Sequence, residues 1–143
     1  MVVGTNMKKI GVSQKAIIFN EQERLLILRR SKTAPYGALI WDLPGGDLDY
    51  GEDAIIGITR EIKEETGLDV RELKPFDVES HINDRKEFWV TIAYVGKTSS
   101  DNVSLSYEHD RHKWIEPKEA EKIETADKIK RFIKNIGKGN YSK

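Results

Sequence analysis

Residues 45–68 read GGDLDYGEDAIIGITREIKEETGL, and no other stretch of the chain constrains the expected fold and chemistry as strongly. The segment holds seven acidic and two basic residues, a local net charge of −5. Glu61, Glu64 and Glu65 stand at spacings i, i+3 and i+4, which places their carboxylates on one face of a helix. Like charges at these spacings lower helix stability, so the pattern favours a site for a hard divalent cation such as Mg²⁺, which prefers oxygen ligands. The alternative is an acidic, solvent-exposed helix face.

A helix is predicted over residues 53–66 because apolar residues recur there at helical spacing. Those residues are Ile55, Ile58 and Ile62. Asp53 lies at the positive end of the helix dipole, where an anion is stabilising, and Gly67 is a typical stop after the last turn. Gly57 lies in the interior, where glycine lowers helix stability by up to about 1 kcal/mol relative to alanine, which indicates close packing there. We expect the carboxylate face to border the core, next to the isoleucine stripe.

Shorter apolar segments predict strands around this helix. They are residues 16–19, 25–30, 39–43, 73–79, 87–95 and 112–115, of which the first two form a hairpin or two sequential strands; a polar turn is predicted at 83–84. Residues 117–120 begin a short helix or turn, and residues 126–136 form an amphipathic helix with Ile129, Phe132, Ile133 and Ile136 on one side. Strands first, a helix in the middle and a helix at the end predict an α/β fold, a mixed sheet with helices packed on it.

The composition narrows the class of protein. The 143 residues predict one domain, in which 24 Lys and Arg balance 24 Asp and Glu. The absence of cysteine excludes a disulfide framework, a thiolate metal site and a cysteine nucleophile. No apolar run approaches the ~18 residues of a membrane span, and the neutral total argues against a bulk nucleic-acid binder. The neutral total also conceals a local excess of positive charge, a net charge of +5 over residues 111–143. We interpret these charged residues as the outer face of the last helix.

The acidic segment is part of a longer pattern. Gly46 is followed by five residues and Glu52, then by seven residues and the run REIKEETGL at 60–68. This arrangement resembles the Nudix box, in which the two aliphatic positions are filled here by Ile62 and Leu68. The chain therefore resembles the MutT-like proteins of the Nudix hydrolase family. Other segments also resemble that family, so that the likeness covers residues 8–137. These segments are residues 25–30, 41–46, 106–110 and 113–115.

The resemblance implies a Nudix-type α/β/α sandwich, with a mixed β-sheet between helices, and metal-dependent hydrolysis of a nucleoside diphosphate linked to another group. It implies Mg²⁺ as the cofactor, with Mn²⁺ as an alternative. The implied metal ligands are Glu61, Glu64, Glu65, Glu108 and the backbone carbonyl of Gly46 or Gly45. Arg60 and Glu52 would pair and hold the loop against the helix. A carboxylate would take the proton of the attacking water, and the sequence leaves open whether it is that of Glu61, Glu64 or Glu108.

Five further residues are candidates for contact with the substrate. Arg29 and Arg30 end a strand near the expected site, where one could hold a phosphate in a bidentate pair; the alternative is a solvated strand end. Tyr36, Trp89 and Tyr107 could stack on a base, although aromatic residues on strands more often serve as core or cover. The three histidines of the chain are interpreted as structural or solvent-facing, because hard Mg²⁺ prefers oxygen.

The class of substrate is predicted by elimination. Residues 82–84 lack the proline that ADP-ribose hydrolases of the resembling family carry at this distance past the box, and residues 85–86 lack the tyrosine of its dinucleoside polyphosphate hydrolases. A nucleoside triphosphate or a damaged nucleotide is therefore the expected substrate. ADP-ribose, a dinucleoside polyphosphate or a nucleotide sugar is the alternative. A non-catalytic nucleotide sensor is the alternative of a different class.

The remaining expectations concern organisation and partners. Residues 8–137 are expected to form one domain, residues 1–7 a disordered or cloning-derived N-terminus, and residues 138–143 a polar tail. The expected partner is a small-molecule nucleotide, with no membrane and no stable nucleic-acid complex. A homodimer and a cytoplasmic location are further expectations.

Overall fold

The computed structural model of the chain describes residues 9–138. The expected N-terminal segment 1–7 and residues 139–143 of the expected polar tail lie outside the described residues. The strands are β1 (Ile10–Phe19), β2 (Leu25–Arg30), β3 (Trp41–Asp42), β4 (Gly45–Asp47), β5 (Arg71–Ile82), β6 (Phe88–Lys97) and β7 (His109–Ile115). The helices are α1 (Ala54–Thr66), α2 (Pro117–Ala120) and α3 (Asp127–Gly137).

One mixed sheet joins the strands in the order β3-β2-β1-β6-β5, while β4 pairs with β1 and β7 pairs with β2. β1 and β6 are parallel, and the other pairs are antiparallel. On the side of β1 away from β6, β1 pairs with β2 only at Phe19 and Leu25. Residues 13–15 of β1 pair with β4 instead. The loop that leads into α1 is therefore anchored on the central strand of the sheet.

Apolar residues are buried on both faces of the sheet, which explains why the strand segments read as continuous apolar runs. Ile17 of β1 belongs to a cluster with Phe132 of α3. Its neighbour Ile18 belongs to a second cluster with Ile58 and Ile62 of α1. Successive residues of β1 therefore face opposite helices, and the predicted α/β/α sandwich is confirmed. No helix among residues 9–138 is both long enough and apolar enough to cross a membrane.

Helix α1 has the ends that its sequence predicts. Asp53 precedes it, and its side chain accepts a hydrogen bond from the N–H of Ile56 at 3.0 Å. Gly67 follows it in the left-handed conformation, with φ of 74°. A Cβ atom on Gly57 would lie 2.8 Å from Oε1 of Glu52, so the close packing predicted at this glycine is confirmed.

Three details of the sequence prediction are wrong. β1 begins at Ile10 rather than at residue 16, because pairing with β6 extends the strand through polar residues that no apolar run marks. The strand predicted over 39–43 is confined to β3, since Leu39 has φ of 65°, and the short β4 was not predicted. Ile55 is exposed, so the isoleucine stripe of α1 is buried only at its two later positions.

The Ile62→Ala variant tests the packing of α1 on the sheet. Ile62 is 0% exposed, and the cavity left by its truncation is expected to lower the free energy of unfolding by about 3 kcal/mol. Denaturant unfolding followed by circular dichroism measures the change. Ile56→Ala is the matched control in the same helix, since Ile56 is 67% exposed and its change should stay within about 0.5 kcal/mol. Equal losses in the two variants would contradict the burial pattern.

Candidate functional site

The site begins where the loop after β3 meets the last turn of α1. The backbone N–H of Gly45 donates a hydrogen bond to Oε1 of Glu65 at 2.9 Å. Gly45 has φ of 154° and pairs with Lys15 of β1, and a Cβ atom there would overlap the carbonyl oxygen of Gln14. Only glycine fits this position, and the close approach of the backbones ties the helix to the central strand.

Gly46 lies directly against a second carboxylate of α1. A Cβ atom on Gly46 would stand 2.7 Å from the carboxyl carbon of Glu61 and 2.8 Å from its Oε2. The absence of a side chain therefore lets the Glu61 carboxylate approach the backbone of the loop. Two of the four predicted acidic ligands, Glu61 and Glu65, thus approach the two glycines that the sequence places at the start of the box.

Arg60 connects the remaining charged residues of the box. Its guanidinium donates to Oε2 of Glu52 at 2.8 Å and 3.1 Å, which is the ion pair expected from the sequence. The same group reaches both oxygens of Glu64 at 3.2 Å and Oε1 of Glu61 at 3.4 Å. These hydrogen bonds raise the pKa of Arg60. The hydrogen bond between Arg60 and Glu52 also lowers the pKa of Glu52. Arg60 therefore links the loop before α1 to the carboxylate face.

The carboxylates differ in burial, and so in their ease of ionisation. Burial raises the pKa of Glu65 to about 8, against the opposing influence of Lys15 and of the Gly45 N–H. Burial also raises the pKa of Glu61, where Glu64 and Glu108 add to the shift and Arg60 opposes it. Glu64 is exposed. Since Glu108 acts on both Glu61 and Glu65, the structure brings this distant residue near the box.

The donor set of the box fits a hard divalent cation. Its donors are carboxylate oxygens together with the backbone of Gly46, and Mg²⁺ and Mn²⁺ prefer oxygen. Burial raises the pKa values of Glu61 and Glu65, and a cation bound beside them would favour their charged forms. Among residues 9–138, no three acidic or histidine side chains are placed so as to hold a metal ion, and Arg60 bonds to oxygens of Glu61 and Glu64.

The two arginines predicted to contact phosphate have different surroundings. Arg29 donates to both oxygens of Asp110 at 2.8 Å and 2.9 Å, a bidentate pair that occupies its guanidinium. Arg30 donates from Nε to the carbonyl of Tyr36 at 3.0 Å, and its Nη1 lies 3.7 Å from Asp42. Arg30 keeps donors for a further acceptor and remains the better candidate of the two.

The three aromatic candidates have different surroundings. Tyr36 is exposed and its ring lies 5.2 Å from the guanidinium carbon of Arg30. Tyr107 is exposed in the loop that also carries Glu108. Trp89 lies on β6, with its ring against Gly11 of β1, which identifies it as cover for the sheet. Their predicted contacts with a base remain predictions.

Comparison with known proteins decides the family. A family model described as the NUDIX domain matches residues 9–136. The chain belongs to the NUDIX family. A MutT protein from Methanosarcina mazei has a similar structure, with a TM-score of 0.80 and 29% sequence identity over 94% of this chain and 98% of that one.

Two curated relatives extend the comparison. The 8-oxo-dGDP phosphatase of Danio rerio is 26% identical over 95 residues, or 66% of this chain, and the NUDIX domain spans 27% of its length. The RNA pyrophosphohydrolase of Acidiphilium cryptum is 28% identical over 120 residues, covering 71% of this chain and 72% of that protein. The chain thus spans only about a quarter of the length of the first of these relatives.

A buried polar cluster beside the box was not predicted from the sequence. Lys15 of β1 donates to Asp42 at 2.8 Å and to the carbonyl of Leu43 at 3.3 Å. Burial lowers the pKa of Lys15 but Asp42 and Glu65 outweigh it, so the net shift is upward. The only sequence signal was a charged residue next to the apolar run 16–19. In this NUDIX domain Lys15 is close enough to Glu65 for each group to shift the pKa of the other.

His109 belongs to the same buried region. Burial lowers its pKa to about 4, with Lys15 and Arg30 acting in the same direction and Asp42 opposing. Its ring is therefore neutral at physiological pH, and its Nδ1 has no hydrogen-bond partner among the described residues. The sequence predicts that the histidines are structural or solvent-facing, but it does not predict this buried nitrogen without a hydrogen-bond partner.

A cavity of about 550 Å³ lies away from the box. It is lined by the ends of β1 and β6 and by the start of β5, including Phe19, Lys97 and Arg71. None of the predicted site residues lines it.

Proposed function

We propose that this NUDIX domain hydrolyses a pyrophosphate bond in a nucleoside diphosphate derivative with the help of a divalent metal ion. The observation that carries the proposal is the packing of the Gly45–Gly46 backbone against Glu65 and Glu61. It holds two of the proposed acidic ligands against the loop backbone, and carboxylate oxygens are the donors that Mg²⁺ and Mn²⁺ prefer. A cytoplasmic location belongs to the same proposal.

In the proposed site, Glu61, Glu64, Glu65 and Glu108 would hold the metal together with the carbonyl of Gly46. When bound, the metal supplies neutralisation of phosphate charge and a lower pKa for a bound water. Arg60 and Glu52 hold the loop against the helix through their 2.8 Å ion pair. Glu61, Glu64 or Glu108 accepts the proton of the attacking water, as a carboxylate within hydrogen-bonding reach can do. Arg30 is the candidate to bind a phosphate oxygen of the substrate.

A nucleoside triphosphate or a damaged nucleotide is the proposed substrate. The elimination made from the sequence supports it, and so does the likeness to the zebrafish 8-oxo-dGDP phosphatase. The likeness to the RNA pyrophosphohydrolase adds a 5′-triphosphate end on RNA as a second candidate. The sensor alternative is disfavoured because no carboxylate of the box is missing.

A substrate panel tests both the activity and the class of substrate. It contains normal and oxidised deoxynucleoside di- and triphosphates, ADP-ribose, dinucleoside polyphosphates, nucleotide sugars and a short RNA with a 5′ triphosphate. Each is incubated with Mg²⁺ or Mn²⁺, and the products are identified by mass spectrometry. We expect the fastest turnover for an oxidised guanine nucleotide, and none after chelation of the metal. Binding of a nucleotide without turnover under either metal would favour the sensor.

A further inference from the structure

We propose that Arg29 is a positioning residue for the reaction, because its ion pair with Asp110 fixes a bulge in β7 that brings Glu108 to the box. The inference rests on the proposed function, in which Glu108 is a metal ligand. Arg29 then acts through Glu108 and does not touch the substrate. This role differs from the phosphate contact that the sequence predicts for Arg29.

The pairing of β7 with β2 changes register beside the site. Arg29 pairs with Arg111, but Arg30 pairs with His109, so Asp110 is an extra residue of β7 without a partner on β2. An extra residue of this kind is a β-bulge, which bends its strand and can redirect a neighbouring side chain. Bulges are found more often than expected next to active sites.

The bulge decides which residue of β7 follows the ladder past the end of β2. Without it, the regular register would place His109 opposite Ser31. With it, Glu108 takes that position, and the N–H of Ser31 donates to the carbonyl of Glu108 at 3.0 Å. Because a slip of one residue turns a side chain to the opposite face, loss of the bulge would turn the Glu108 carboxylate away from its present side.

Arg29 holds the side chain of the extra residue. Its Nε and Nη2 donate to Oδ1 and Oδ2 of Asp110 at 2.8 Å and 2.9 Å. A bidentate pair of this kind fixes the orientation of both groups, which a single hydrogen bond does not. The two side chains are 24% and 36% exposed, so the pair lies near the surface and the protein should stay folded without it.

The segment that precedes the bulge is held to α1 at its other end. The N–H of Ser104 donates to the carbonyl of Thr66, the last residue of α1, at 2.8 Å. Glu108 therefore lies on a segment that runs from the end of α1 to the end of β2. Its carboxylate raises the pKa values of Glu61 and Glu65, so this path brings it near two other proposed metal ligands.

Kinetics of the full chain at a fixed concentration of Mg²⁺ or Mn²⁺ test the inference. Arg29→Met is expected to lower kcat/KM for the best substrate of the panel about 10- to 100-fold, the effect of removing a group that orients a metal ligand. Asp110→Ala should cause the same loss, although it frees the guanidinium of Arg29, and it replaces Arg29→Met in every comparison if that variant does not fold. Arg131→Met is the matched control and should match the wild type, because Arg131 also donates two hydrogen bonds to one aspartate, Asp77, at 3.1 Å and 3.2 Å.

The Glu108→Gln background shows whether Arg29 acts through Glu108. In that background Arg29→Met should lower kcat/KM by no more than about twofold, since residues that act as one unit are not additive. A role in stability alone would lower kcat/KM equally in both backgrounds, and that result overturns the inference. A loss in Arg29→Met that Asp110→Ala does not share also overturns it, and would assign Arg29 to the substrate phosphate.

Two further measurements do not depend on turnover. Hydrogen exchange of the Ser31 amide should be faster in Arg29→Met than in the wild type, because the bond to the Glu108 carbonyl is lost. The rise in Tm that Mn²⁺ gives should be smaller in Arg29→Met than in the wild type and in Arg131→Met. An unchanged exchange rate or an unchanged metal response overturns the inference. A wild type that turns over no substrate would contradict the proposed function instead, and these two measurements would still decide the role of Arg29.

Discussion

The Glu65→Gln variant is expected to lower kcat/KM for the best substrate of the panel by about 10³-fold, the size of effect seen when an essential electrostatic group is removed. Glutamine has nearly the same shape and can still accept the hydrogen bond from the Gly45 N–H. The variant therefore removes the charge at one proposed metal ligand while keeping the packing. Steady-state kinetics with Mg²⁺ and with Mn²⁺ measure the loss.

The Glu65→Gln variant is expected to lose activity without losing stability. Because burial raises the pKa of Glu65 to about 8, its charged form is disfavoured in the metal-free protein, and a neutral side chain relieves that penalty. We expect the metal-free variant to melt no lower than the wild type. The rise in Tm that Mn²⁺ gives the wild type should be smaller in the variant, since a metal stabilises only the state that binds it.

Glu21→Gln is the control for the loss of charge. Glu21 is exposed in the turn after β1 and lines the cavity away from the box, so turnover and the metal-induced rise in Tm should match the wild type. Turnover in Glu65→Gln that equals the wild-type value would contradict the proposed metal site. A reduced turnover with an unchanged metal response would assign Glu65 a role other than metal binding.

The Lys15→Met variant is expected to lower the free energy of unfolding by about 3–5 kcal/mol, the effect of leaving one member of a buried ion pair without its partner. Lys15 and Asp42 are 2.8 Å apart, and their side chains are only 13% and 12% exposed. Methionine fills similar space but leaves the Asp42 carboxylate without its nearest cation. Denaturant unfolding at neutral pH measures the loss.

A double variant separates the ion pair from packing. Lys15→Met with Asp42→Asn removes both charges, and replacing a buried pair is far less damaging than breaking it. The double variant should therefore recover most of the stability lost by the single one. Recovery stays incomplete if the new asparagine side chain fails to accept the N–H of Leu43, which Asp42 binds at 2.7 Å. A double variant as unstable as the sum of the two single variants would show that the charges do not act on each other.

The contribution of the Lys15–Asp42 ion pair to the free energy of unfolding should fall in acid. Burial raises the pKa of Asp42, but Lys15, the Leu43 N–H and Arg30 outweigh it and the net shift is below the ordinary value of 3.8. A carboxyl group with a depressed folded pKa stabilises the protein above its unfolded pKa and loses that contribution as the pH falls through the folded value. The difference between wild type and Lys15→Met should therefore shrink as the pH falls, starting where Asp42 becomes protonated in the variant, because its carboxyl has lost Lys15 and its pKa lies above the wild-type value.

The sequence alone predicted the parts of this protein that depend on local spacing. Helix α1, its Asp53 and Gly67 ends and the shared face of Glu61, Glu64 and Glu65 follow from helical periodicity, so the structure agrees with them. The burial of β1 and β2 on both faces likewise follows from their continuous apolar runs. Family resemblance added the ion pair of Arg60 with Glu52, which the structure contains.

Other features depend on residues that are far apart in the chain. Lys15 meets Asp42 across 27 residues, and Arg29 meets Asp110 across 81, so no local pattern indicates either pair. Lys15 also shifts the pKa of Glu65, and the pair with Asp110 occupies two of the three guanidinium nitrogens of Arg29. The extension of β1 to Ile10 and the position of β5 at the sheet edge are likewise decided by strand pairing.

The sequence by itself therefore determined the helix that carries the carboxylates and the chemical type of the site, because helical spacing and residue identity are local properties. Only the tertiary structure decided which carboxylate is buried, which partners the two arginines bind and which strand lies at the edge of the sheet. These depend on desolvation and long-range pairing, and both arise only when the sheet brings distant segments together.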